Sequence, residues 1–394
     1  MSPPAGRSAD VAIVGGGIVG TATAAFLAAA GARVSLYERT EIAAGASGRN
    51  SGVIQQPHDP VLAALYRESL AAHRALDVTS GGALALDAEP VGLLQVGHDL
   101  AVAEAIAAAW RETDPSTRPE VLGGDELRRL EPALAADLVA CRLRIGYPVA
   151  PSAATLAFAA EAERGGATVV IGQEARLVVE NGVAVGVEVG GSLRPAGAVV
   201  IAAGPWTPAV LDPSAVWQPI RPIWGVVVQV DLADAPRHVL EQAEIDIEPW
   251  ADPDADPSAD PDADDPTGSD AGDVIDFSLV TAGGASSLGS TFLAREPRAA
   301  DFVDLLRARG ARFVPAVATA PVVGVRSCAR PVSVDGRPLV GAVPWLDRAF
   351  VAAGHGPWGI STGPATARMI ADLVLGNEAG IPPALAAGRF GRNV

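Results

Sequence analysis

The 394-residue chain contains no lysine, and all 29 of its basic residues are arginines. No lysine can therefore act as nucleophile, base or Schiff-base partner. Acidic residues number 46, which sets the formal charge at −17. Nucleic-acid phosphates need a basic surface, so no nucleic-acid partner is expected. Cysteine is almost missing as well, with only Cys141 and Cys328 present. That leaves no disulfide framework and fits a reducing, cytoplasmic setting.

Apolar residues are lacking in one stretch. Asp252 to Asp276 interleaves ten aspartates with Pro, Ala, Gly and Ser. Such a composition cannot bury enough surface to offset its ordering entropy, so a flexible acidic insert is expected over 249–273. Asp252, Asp254 and Asp256 have the alternate spacing of a calcium loop, but prolines adjoin them and the loop glycine and closing glutamate are out of place. No metal site is expected.

Charge is also missing from Val11 to Ala32, a run long enough to span a bilayer or to imitate a signal peptide after Arg7. Gly15, Gly17 and Gly20 would weaken a helix of either kind, and no other segment reads as a membrane span. The same glycines have the G-x-G-x-x-G spacing that leads from a strand, Asp10 to Val14, into a helix ending at Gly31. The first permits a tight turn, the second lets backbone approach a pyrophosphate, and the third lets helix and strand pack closely. A second strand, Arg33 to Glu38, ends in a carboxylate placed to accept both hydroxyls of an adenosine ribose. Together these predict a dinucleotide site.

The loop Ala43 to Ile54 follows, with Ser47, Arg49, Asn50 and Ser51. It offers hydroxyls and backbone N–H groups to phosphates. The alternative is a helix cap at Ser47 beside a surface arginine. Later, Val199 to Gly204 reads as a buried strand ending in glycine, then Pro205 and Trp206. Ala349 to Ala353 reads as a strand running through Gly354, His355 and Gly356 into a helix that begins near Thr362, with Pro364 in its first turn. Glycines at 354, 356 and 359 let a flat ring lie against backbone, and N–H groups at a helix start stabilise negative charge on it.

GGGIVG, an acidic strand end, GASGRNSG, then RSCARPVSVDGRPLVG at 326–341 and AAGHGPWGISTGPATA at 352–367 resemble the FAD-dependent D-amino-acid oxidase superfamily. That family includes glycine oxidase, sarcosine oxidase and D-amino-acid dehydrogenase. The resemblance reaches both ends of the chain and leaves 234–276 unmatched. It implies an α/β fold in which a discontinuous Rossmann-like FAD-binding domain (1–85, 138–215 and 322–394) accompanies an α+β substrate domain (86–137 and 216–321) on an antiparallel or mixed sheet.

The FAD contacts so implied are Gly15, Gly17, Ile18, Gly20, Glu38, Arg39, Ser47, Arg49, Asn50 and Ser51 at the N-terminal end. Ala175, by position an adenine contact, joins them with Gly204 and Trp206, then Cys328, Gly356, Gly359, Ile360, Ser361 and Thr362. Arg330 matches the arginine that holds a substrate carboxylate, with a structural salt bridge as its alternative. Trp358 would wall the pocket or simply fill core, and His355 would be catalytic or a structural hydrogen-bonder. Cys328 falls where sarcosine oxidases bond flavin covalently, and a small buried thiol is its alternative. Those oxidases also use lysines, which this chain lacks.

The function implied is oxidation of a small amine or amino acid by hydride transfer from its alpha carbon to flavin, with oxygen or another redox acceptor as electron partner and no oligomeric state specified. The alternatives are an FAD-dependent 2-hydroxy acid dehydrogenase with His355 or His58 as base, and a flavin-bearing subunit of an electron-transfer complex.

Overall fold

A computed structural model describes residues 9–243 and 274–391. The expected acidic insert and the calcium-loop aspartates lie outside the described residues. Ala9–Val14, Val34–Glu38, Thr168–Ile171, Ser192–Ile201 and Ala349–Ala353 form a parallel sheet, and Leu339–Ala342 joins its edge antiparallel. Parallel strands covered on both faces should be apolar throughout. Val11 to Val14 and Val199 to Ile201 meet that condition, with every residue buried.

Helices Ile18–Ala29, Ala153–Arg164 and Gly359–Val374, with Pro60–Thr79 behind them, cover one face in a single buried cluster. The other face packs against the hairpin Ala175–Glu180 and Val183–Val189 and against Trp217. That hairpin turns at Asn181 and Gly182, both left-handed, as an Asn-Gly turn favours.

The second sheet has eight strands. In order they are Val322–Ser333, Ile220–Val230, Ala285–Phe292, Val274–Ala282, Val239–Gln242, Leu93–Gly97, Val139–Leu143 and Glu120–Gly123. Only Val239–Gln242 and Leu93–Gly97 pair in parallel, so the sheet is mixed. Sequence boundaries at 138 and 322 each cut off a strand that belongs here. Val322–Ser333, at the edge of the sheet, pairs with Ile220–Val230 along nearly its whole length.

One face of this sheet buries Leu94, Leu240, Phe277, Leu279 and Leu288 against the helix Val303–Ala311 and Phe313. Phe277 and Phe313 stack there at 4.4 Å. Strand alternation then directs Arg326, Cys328 and Arg330 to the opposite face, which looks toward the loop 49–56.

Candidate active site

In an open parallel sheet, ligands collect beyond the carboxyl ends of the strands. A cavity of about 880 Å³ lies there, between the two sheets. Gly15, at φ +114°, starts it: a Cβ at this position would stand 2.3 Å from Ala202 O. A Cβ on Gly20 would stand 2.0 Å from Gly15 O, so the helix can approach the strand only if residue 20 is glycine. Gly17 instead faces Ser47 Oγ, and that oxygen accepts the N–H of Ile18 at 3.0 Å. Ser47 thus caps the opening helix from a distant loop.

Glu38 accepts the Gly16 N–H at 2.8 Å and the Thr40 N–H at 2.9 Å. These bonds hold its carboxylate at the cavity wall. Arg39 lies 4.1 Å from the ring centroid of Trp206 at the same end, beside Ala175 and Gly204. Asn50 folds back on its own turn, donating to Ser47 O and accepting from Gly52 N–H.

At the far end, the C-terminal helix starts at Gly359 rather than near Thr362, so Pro364 lies inside it. Proline has no N–H for the carbonyl four residues earlier, Ile360 O. His73 Nε2 donates to that oxygen instead, at 2.9 Å, from the helix Pro60–Thr79. The helix can therefore begin a turn early, with Gly359 and Ile360 lining the cavity. No side chain caps it and no acidic residue lies in its first turn.

Of the expected contacts, Gly15, Gly17, Ile18, Glu38, Arg39, Ser47, Arg49, Asn50, Ala175, Gly204, Trp206, Cys328, Arg330, His355, Gly356, Gly359 and Ile360 line the cavity. Gly20, Ser51, Trp358, Ser361 and Thr362 do not. Gly20 acts through the glycine turn, and Trp358 packs against the helical core. Ser361 Oγ accepts the Gln55 N–H, while Thr362 Oγ1 donates to Trp358 O. Both hydroxyls are committed to structure.

Arg330 donates to Thr291 O at 2.7 Å and to Ser290 Oγ at 2.8 Å, and lies 4.4 Å from the centroid of the Phe292 ring. Among the described residues it has no carboxylate partner, so the salt-bridge alternative finds no support. Burial lowers its pKa, a cost that an incoming anion would relieve. Sequence reasoning missed Gly225, over which this guanidinium rests. An isolated glycine in the apolar strand run Trp224 to Val228 was the available signal.

His355 is buried, with Nε2 on Thr366 Oγ1 at 2.9 Å, and burial pulls its pKa down to about 4. Such a ring is neutral and a poor base near pH 7. His58 contacts Thr113 Oγ1 and Trp110 and is absent from the cavity wall. Cys328 is 5% exposed, and burial raises its pKa despite Arg330, Arg326 and Arg49 nearby.

The donor set fits a flavin dinucleotide. Glu38 suits the ribose, the glycine turn and the first helix N-terminus suit the pyrophosphate, and the second helix N-terminus suits an electron-rich ring. No group of His, Cys, Asp or Glu among the described residues could hold a metal. None of the described helices is long and apolar enough to cross a membrane.

A family profile described as DAO, FAD dependent oxidoreductase, matches residues 10–373. The chain is 27% identical over 390 residues to the uncharacterized oxidoreductase YurR of Bacillus subtilis strain 168, covering 93% of this chain and 95% of that one. It is 29% identical over 385 residues to the glycine oxidase of Geobacillus kaustophilus strain HTA426, covering 94% and 93%. The crystal structure of glycine oxidase from Geobacillus kaustophilus matches its fold with a TM-score of 0.79 at 24% identity, over 97% of this chain and 99% of that one.

Proposed function

The chain belongs to the DAO family of FAD-dependent oxidoreductases, and from that premise we propose that it oxidises a small amino acid or related amine at the alpha carbon. The observation that carries this reading is Arg330: a guanidinium inside the cavity, fixed by Thr291 and Ser290 and without a carboxylate among the described residues. A planar guanidinium takes a carboxylate bidentately and so sets the orientation of the carbon beside it.

FAD, when bound, supplies the acceptor for the hydride that leaves that carbon. Glu38, the glycine turn and Ser47 would hold the cofactor's nucleotide half. The first-turn N–H groups of the helix at Gly359 and Ile360, which line the cavity, would stabilise negative charge on its ring. The substrate amine must arrive or become unprotonated, because His355 is the only histidine on the cavity wall among the described residues and its pKa near 4 makes it a poor base. His355, held near 4, leaves a 2-hydroxy acid without a partner for its hydroxyl proton. The relatives named glycine oxidase support the amine reading over that alternative.

Anaerobic mixing of the purified yellow protein with glycine, sarcosine and small D- and L-amino acids tests the proposal. Bleaching by one of them, lost in Arg330→Ala although FAD remains bound, is the expected result. Bleaching by 2-hydroxy acids alone would reject it.

A further inference from the structure

The sheet face that carries Arg330 continues, four strands away, into a second polar cluster that the proposed reaction does not use. Glu241 stands directly across from Ser278 on one side and Gln95 on the other, and Ser278 stands across from Gly289. Facing residues on neighbouring strands share a face of the sheet. Gly289 in turn looks toward Ser51, next to Asn50, whose carbonyl accepts a bond from Arg326. Arg326 and Arg330 alternate along one strand, so Glu241 and Arg330 lie on the same face of the sheet, Arg330 on the wall of the cavity and Glu241 beyond its lining.

Gln55 reaches down from the opposite wall, and its Nε2 donates to both oxygens of Glu241, at 3.1 and 3.2 Å. This fixes its amide orientation and leaves Oε1 buried with no partner. Gln55 is only 4% exposed. Gln95 Oε1 and Ser278 Oγ, which flank Glu241, are likewise buried and unpartnered. Asp276 adds a second acid close enough to act on Glu241. Glu241 forms no ion pair among the described residues, yet Glu241, Gln95, Ser278 and Asp276 all keep some accessible surface in mid-sheet. Among the described residues the site gathers two carboxylates, two unpartnered amide oxygens and a hydroxyl, with Gln55 Nε2 donating to Glu241 and no positive charge acting on it. A water could satisfy the hydrogen bonds but not the charge.

We propose that Glu241, with Gln55, Gln95, Ser278 and Asp276 around it, seats a cationic group at the far end of the substrate, making the preferred substrate an amino acid with a second, distal basic nitrogen. This rests on the reading of Arg330 as the carboxylate seat. The Arg330 guanidinium bonds to the strand Ala285–Phe292, and Glu241 lies two strands further in. Two strand spacings are about 10 Å, too far for glycine to bridge and within reach of an extended side chain with a terminal amine. Burial raises the pKa of Glu241, and Asp276 raises it further against the Gln55 bonds. A bound ammonium would oppose both effects.

The test uses ligands that lack an alpha amine and so cannot be oxidised. The FAD-loaded protein is titrated calorimetrically with gamma-aminobutyrate, delta-aminovalerate and epsilon-aminocaproate, and with butyrate, valerate and caproate. One amino ligand should bind about tenfold or more tightly than its unaminated counterpart. Glu241→Gln should remove that advantage and leave the plain carboxylate's affinity in place, which also shows that the variant folds. Arg330→Ala should weaken both series. Equal affinities within every pair would overturn the inference and leave the amino acid reading standing. If no carboxylate binds at all, the seat at Arg330 fails and the inference falls with it.

Discussion

Gly225 lies against the guanidinium of Arg330 so closely that a Cβ at 225 would stand 2.5 Å from Arg330 Cζ. The arginine therefore owes its position to a missing side chain on the neighbouring strand. Gly225→Ala should push the guanidinium aside without touching the cofactor's seat. A misplacement of about 1 Å is enough to lower kcat/KM about 100-fold. Steady-state kinetics together with FAD content read this out, and wild-type kinetics in the variant would refute it.

Gly15 and Gly17 should respond differently to alanine. At Gly15 the new Cβ meets the Ala202 carbonyl at 2.3 Å with φ at +114°, whereas at Gly17 it meets only Ser47 Oγ at 3.1 Å. Strain and overpacking together should cost Gly15→Ala about 2–4 kcal/mol. Gly17→Ala should keep most of its stability and lose cofactor. Melting of the two cofactor-free proteins decides the point, and equal Tm values would contradict it.

Stability should fall on mild acidification through the buried histidines. Burial holds His73 at about 4 against an ordinary 6.5, and His355 likewise. Between those values the unfolded chain takes up a proton that the folded chain refuses, so the stabilisation is complete above 6.5 and is lost as pH drops toward 4. Each histidine contributes roughly 3 kcal/mol over that window. Asp114 acts lower: burial pushes it up, but bonds from Ser116, Gln56 and Arg67 outweigh that and bring it to about 2. Its share is kept above 3.8 and disappears only between there and 2. His73→Gln keeps a donor for Ile360 O and should flatten the fall in Tm between about pH 7 and pH 5. Parallel curves for variant and wild type would count against this account.

Acid precipitation should release the flavin into the supernatant. Cys328 lines the cavity, but burial keeps its thiol protonated, and the thiolate is the reactive form. Colour retained in the pellet, and lost from it in Cys328→Ser, would show a covalent bond instead.

The cofactor end was legible in the sequence because its requirements are local. Gly15, Gly17 and Gly20 lie within one turn, and Glu38 ends the next strand. The start of the C-terminal helix was not legible. Its position depends on His73, 287 residues from Ile360 in the chain, filling the gap that Pro364 leaves. Glu241 and Gln55 were invisible for the same reason: they are 186 residues apart, one in a strand and the other in a loop, and neither belongs to a motif. Arg330 could be singled out from the RP pair, but the surface that holds it, at Gly225, Ser290 and Thr291, comes from strands with no special composition.

The strand Ser192–Ile201 lies between Ala9–Val14 and Ala349–Ala353. During synthesis, the glycine turn and Glu38 leave the ribosome early, but Ala349–Ala353 and the helix Gly359–Val374, proposed to receive the ring, come late. A nascent chain can thus fold the nucleotide half around an incomplete sheet for most of its translation. Loading with FAD becomes a checkpoint on completion, and chains stopped before residue 349 should be recovered colourless.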